Sequence, residues 1–179
     1  MNTIRISRTC AFYASYALQA SDGHCKPIQA HYYKLRVTLL GTPKAAGPAG
    51  HGGLCMHFDD LKRFIEAFVV KPWEGALLLH QDAPAGLIES WKKIDKKLVL
   101  LPYQPTCENL LLDIRTTLLE HLPPGAILHS LRLSETDATY MEWNSADNTY
   151  LGYADEENEP EVNHALIMDS LSKANTSHW

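Results

Sequence analysis

The chain is short of the features that would commit it to nucleic acid, a membrane or structural zinc. Lysine and arginine number 16 against 21 acidic residues, a net charge of -5, whereas non-specific nucleic-acid binding draws on clustered positive charge. No apolar run approaches the roughly 20 residues of a membrane-spanning helix. The opening Met1-Asn2-Thr3-Ile4-Arg5 lacks a secretory pattern. Cys10, Cys25, Cys55 and Cys107 are widely spaced with no C-x-x-C pair, which argues against a zinc ribbon or finger. Reduced thiols in a cytoplasmic protein are the simple expectation. No internal repeat is visible, and the Gly- and Pro-rich residues 41–53 have no phosphate-binding order, so they read as a connection. What remains is 179 residues, 45% hydrophobic, enough for one domain with a sizeable core.

Periodicity supplies the elements. Residues 4–17 alternate, with Ile4, Ile6, Cys10, Phe12, Ala14 and Tyr16 on one parity and Arg8 as the misfit. The turn Ser21-Asp22-Gly23-His24 leads to a second strand over 28–41, antiparallel to the first. Residues 58–68 have apolar side chains at helical spacing with acids in the first turn, and Pro72 is expected to end that helix. Leu87, Ile88 and Trp91 suggest a short amphipathic helix, and 98–101 a short extended piece. Thr106 caps the clearest helix, whose stripe is Leu110, Leu111, Ile114, Leu118 and Leu119. A third strand over 126–135 is expected to put Ile127, His129, Leu131, Leu133 and Glu135 on one face, and 138–143 makes a fourth. The expected architecture is α+β, a four-stranded antiparallel sheet with two helices on one face. Residues 1–145 form the domain, and 146–179 a polar, acidic extension with a short helix near 163–172.

The stretch Cys25-Lys26-Pro27-Ile28-Gln29-Ala30-His31-Tyr32-Tyr33 organises the functional reading. Gln29 and His31 share a face with the apolar row Tyr33, Leu35, Val37 and Leu39. Polar groups at the end of an inward row need partners or a ligand. Glu135 has the same standing on the parity of Leu131 and Leu133.

Five stretches in this order resemble the 6-pyruvoyl-tetrahydropterin synthases and the 6-carboxytetrahydropterin synthases. They are Phe12-Tyr13-Ala14-Ser15-Tyr16, the Cys25 stretch just quoted, Leu54 through Lys62 with its Met56-His57-Phe58, Pro105-Thr106-Cys107-Glu108-Asn109, and Glu135-Thr136. The resemblance implies a tunnelling fold, in which strands of a homo-oligomer join into a barrel and active sites lie between subunits. It also implies zinc held by three histidines, and those positions are Tyr16, Gln29 and His31 here, one imidazole of three. The family's Asp-His pair falls on Leu79-His80, Cys25 matches its catalytic cysteine, and Glu135 its pterin-anchoring carboxylate. Thr106 and Glu108 match the helix start beside the ring.

The expectation is therefore a pterin-like or other planar heterocyclic substrate bound by Glu135, Thr106, Glu108 and Gln29. Cys25, His80, His31 and Tyr16 would act on it as a metal-free lyase or cyclase with no cofactor. Two alternatives stay open. Zinc chemistry is retained at His31 with the Tyr16 and Gln29 positions, or the chain is a non-catalytic binding or assembly partner.

Overall fold

The computed structural model describes residues 2–43, 53–94 and 96–150. Two long strands dominate, β1 (Ile4–Ala17) and β2 (Gln29–Gly41), paired antiparallel from Ile4 opposite Gly41 to Tyr16 opposite Gln29. The alternation along both holds: Phe12, Ala14, Tyr16, Tyr33, Leu35, Val37 and Leu39 are buried. They pack under α1 (Phe58–Ile65) and α4 (Cys107–Glu120), which contribute Leu61, Ile65, Leu110, Ile114 and Leu118 to one core. This helix-covered side is the inner face. Thr106 starts α4 as expected, its Oγ1 accepting the Asn109 N–H at 3.3 Å.

The sheet has six strands rather than four, and it is mixed rather than antiparallel, in the order β4-β3-β1-β2-β5-β6. The additions are β3 (Leu77–His80) and β4 (Leu98–Leu101), parallel to the end of β1 and to each other. Strand β3 is buried on both faces, so it reads as an unbroken Leu run with no alternation to betray it. Nor do all helices lie on one face. Helix α3 (Ala85–Lys93) places Leu87, Ile88 and Trp91 against Ala17, Leu77, Leu79 and Ala83, residues of the parity opposite to Tyr16 and Leu78.

Two expectations fail for local reasons. Pro72 does not end the first helix: a π turn (Glu66–Val70) leads into α2 (Lys71–Trp73), which has Pro72 in its first turn. Proline needs no N–H there, and the chain leaves only at Gly75, whose φ of +71° suits glycine. On β5 (Ile127–Ser134), a bulge between Thr38 and Leu39 of β2 shifts the register. It buries Leu128 in place of Ile127, which is exposed, and puts His129 on the outer side. Leu131 and Leu133 stay inward as expected. Strand β6 (Tyr140–Asn144) closes the far edge, followed by α5 (Ser145–Tyr150). The compact unit bearing the sheet spans Met1–Ala146; the helix expected near 163–172 lies outside the described residues.

Candidate active site

Strand register brings the candidate residues of β1 and β2 together. Gln29 sits across from Tyr16, His31 across from Ala14, and Tyr33 across from Phe12. Alanine opposite His31 leaves the imidazole room to lie along the Tyr16 ring, centroids 5.7 Å apart and nearly parallel at 18°. The Tyr33 ring follows at 5.7 Å from His31, and Phe12 stacks on Tyr33 at 5.3 Å. This ladder ends in polar groups at the Tyr16 end. The Tyr16 hydroxyl donates to Gln29 Oε1 at 2.9 Å, and His31 Nε2 is buried without a hydrogen-bond partner among the described residues.

The third strand closes the cluster. Glu135 follows β5, half-buried, and the Tyr33 hydroxyl donates to its Oε1 over a long 3.5 Å. Burial first, then the Glu135 carboxylate, raises the Tyr33 phenol well above its ordinary range and the Tyr16 phenol in the same direction. Burial also pushes the Cys107 thiol up to about 12, with Glu135 and Glu108 adding to it. Helix α4 thus contributes a neutral thiol from its first turn, while Glu108 beside it is exposed. Thr106 spends its oxygen on the helix cap and keeps an O–H to donate. The Tyr16, Tyr33 and Cys107 protons are thus held rather than released.

His80 ends β3 on the parity of Leu78, the strand position beside Tyr16, and so on the inner side. Leu79 gives it no orienter, but Asp82 does. His80 Nδ1 accepts the Asp82 backbone N–H at 3.1 Å, with Asp82 Oδ2 3.8 Å from the same nitrogen. A neutral ring that accepts at Nδ1 carries its proton on Nε2 and presents a donor. Protonation would turn Nδ1–H toward the Asp82 carboxylate.

Cys25 stands apart. Its bridge to Gln19 ties it to the loop after β3, where Gln19 Nε2 donates to the Asp82 carbonyl at 3.2 Å. The thiol packs against the Ala17, Leu77 and Leu79 cluster, and burial raises its pKa, the opposite of activation. Among the described residues no hydrogen bond joins Cys25 to His80, His31 or Tyr16.

The zinc that the sequence resemblance implies does not suit these residues. A catalytic site takes three protein donors. Here one imidazole stands beside an amide oxygen already accepting a proton and a phenol pushed away from ionising. Among the described residues, no three His, Cys, Asp or Glu side chains group as ligands. A cleft of about 530 Å³ lined by Ile6, Leu39, Cys55 and Pro124 lies at the opposite end of the β1–β2 pair and belongs to none of this.

Sequence reasoning missed Asp82, Tyr33 and Cys107. The first has a signal, an acid two residues after a strand-ending histidine. The other two lie inside the quoted stretches, but an inward tyrosine or cysteine reads as core.

Comparisons with known proteins now bear on the chain. Residues 5–146 match the family model described as 6-pyruvoyl tetrahydropterin synthase. The chain is 26% identical over 141 residues to the 6-carboxy-5,6,7,8-tetrahydropterin synthase of Haemophilus influenzae, covering 78% of this chain and 97% of that protein. The enzyme of the same name from Rickettsia typhi is 23% identical over 145 residues, covering 78% and 99%. In three dimensions it resembles the 6-pyruvoyl tetrahydropterin synthase of Plasmodium vivax, with a TM-score of 0.57, 16% identity and coverage of 80% and 99%. For the Caenorhabditis elegans counterpart the values are 0.56, 16%, 80% and 96%. These likenesses establish the tunnelling fold expected from the motifs.

Proposed function

The chain belongs to the 6-pyruvoyl tetrahydropterin synthase family, and from that premise we propose that its inner-face cluster binds a pterin-like planar heterocycle. We further propose that it acts there as a lyase or cyclase through side-chain acid–base chemistry. The observation that carries the reading is Glu135, a half-buried carboxylate that among the described residues has no ion pair and accepts one long side-chain hydrogen bond, from Tyr33. A heterocycle edge with an amino group and an adjacent ring N–H supplies the donor pair this carboxylate lacks.

The other residues take roles from their geometry. Gln29, whose amide oxygen takes the Tyr16 proton, keeps its N–H donors for the ligand. Thr106 O–H and the exposed Glu108 lie at the α4 start beside the anchor. His80 in its neutral form presents Nε2–H as a hydrogen-bond donor and, once protonated, gives that proton up as general acid; Asp82 is its positioning residue, its carboxylate facing Nδ1 of the imidazolium. Tyr16 stays a neutral phenol and donates a hydrogen bond to developing negative charge. His31, held between two rings, supplies the remaining unpartnered nitrogen. Cys25 enters as a neutral thiol from its loop.

Open edges support sites between copies. On the β3 side, β1 is paired among the described residues from Ser15 to Ala17, so within them residues 4–12 present an unpaired edge, and β6 bounds the other side of the sheet. A homo-oligomer that joins such edges into a barrel would complete each cluster with a neighbour's residues. Light scattering on the purified chain tests this, and a monomer overturns it.

Thermal-shift titration with pterin and with guanine tests the ligand class. Both are expected to stabilise the wild type, and stabilisation by neither leaves the assembly role in its place. Metal analysis of protein purified without chelator tests the mechanism separately. Stoichiometric zinc would overturn the acid–base route while leaving heterocycle binding intact.

A further inference from the structure

The outer face of the sheet carries a second polar site, which the chemistry above does not use. Alternation along β1 and β2 sends Arg5, Ser7 and Arg36 outward, and β5 adds Arg132. With Thr38 and His129 they line a cavity of about 220 Å³. Its base is a pair of hydroxyls: Ser7 Oγ and Thr38 Oγ1 are 2.9 Å apart, and Thr38 is only 6% exposed. One of the two O–H groups bonds the other, which leaves the second free to donate into the cavity. His129 reaches this wall because of the bulge, which moved it off the inner parity. Bulges re-aim side chains in this way beside sites.

Charge in the cavity is unbalanced. Arg132 donates to Glu142 at 2.8 Å and lies 4.0 Å from the centroid of the Tyr140 ring, so its charge is answered. Arg36 sits directly across from Arg132 in the β2–β5 register, an arrangement that like charges disfavour. Among the described residues neither Arg36 nor Arg5 has an ion pair. The chain as a whole carries -5, so this excess of guanidinium is a matter of placement, not composition.

We propose that this cavity is a binding site for a phosphate-type oxyanion. Guanidinium forks match tetrahedral oxyanions two bonds at a time, and two of them over a hydroxyl floor offer donors from several directions. The inference stands on the outer face alone and does not depend on the heterocycle reading. A free oxyanion and the phosphate of an ester share this chemistry.

Isothermal titration calorimetry at constant ionic strength, with the full chain and sodium chloride as the reference salt, decides it. Inorganic phosphate, pyrophosphate and ribose 5-phosphate are the probes. Pyrophosphate is expected to bind, and Arg5→Gln and Arg36→Gln are each expected to weaken it by about tenfold, the loss of one charge-assisted contact. Glu142→Gln, which frees Arg132, is expected to tighten it, and Glu135→Gln on the other face to leave it unchanged. Ribose 5-phosphate binding more tightly than inorganic phosphate would assign the site to an ester, the reverse order to the free anion. No heat with any probe, or equal affinity in the Arg5→Gln/Arg36→Gln double variant, overturns the site.

Discussion

Tyr16 and Arg36 stand on neighbouring strands of one sheet and point to opposite sides of it. On Tyr16's side, polar atoms are few, and most answer one another: phenol to amide, phenol to carboxylate, thiol to carbonyl. Burial raises the phenols and the Cys107 thiol, so these groups stay neutral donors. On Arg36's side the groups are charged and wet, and their balance depends on which guanidinium has a carboxylate. The same backbone therefore offers two environments one residue apart. Proton chemistry suits the dry side, where an unpaired group costs most, and ion recognition suits the wet one.

The contrast can be broken first through packing. Leu35→Ala removes a fully buried side chain under the inner core and is expected to cost about 2 to 5 kcal/mol of stability. Its neighbour Tyr32, 60% exposed on the outer side, is expected to change stability by about 0.5 kcal/mol or less on Tyr32→Ala. Urea unfolding of both variants measures the difference, and equal losses would deny that the faces differ.

Ligand binding sharpens it next. Glu135→Gln should weaken pterin by about 1 to 3 kcal/mol, because a charge-assisted pair becomes a neutral one. Unchanged affinity by titration would remove Glu135 as the anchor.

Asp82→Asn keeps the backbone N–H that His80 accepts but removes the carboxylate that meets the imidazolium. Turnover of a pterin substrate should fall in kcat with KM little changed. A merely structural role for Asp82 would instead lower the melting temperature and leave kcat per folded molecule unchanged.

A last effect is on the alkaline side. The Cys107 thiol, which ordinarily titrates near 9.0, is pushed up to about 12 in the fold by burial. A group raised in this way adds stability that is complete below pH about 9 and is lost as pH rises toward 12. Tyr16 and Tyr33 are raised in the same direction and add to that loss at higher pH. Cys107→Ala should flatten the decline from about pH 9 upward, as read from melting temperatures. An unaltered slope would show that the thiol ionises as freely folded as unfolded.

The legible parts of the fold were those with one wet face. The hairpin of β1 and β2 and the helix α4 declared themselves because alternation or a 3.6-residue stripe survives when one side meets water. Strand β3 was obscure for the converse reason, since it is covered on both sides and has only four residues, whereas 98–101 was legible as an extended piece but not its place in the sheet beside β3. The bulge at Thr38 and Leu39 left no mark either, because one extra residue inverts the face of everything on its far side.

For the candidate site, the amino-acid sequence alone determined which side chains face inward together: Tyr16 and Phe12 from one strand, Gln29, His31 and Tyr33 from the next. It also determined that a single imidazole, His31, stands among them, because residue identity and strand parity suffice for both. Tertiary structure alone decided that Asp82 orients His80, that Tyr33 reaches Glu135, and that His129 turns outward to the arginines. Those contacts depend on loop closure and on register between strands far apart in the chain, and periodicity within a segment carries no record of either.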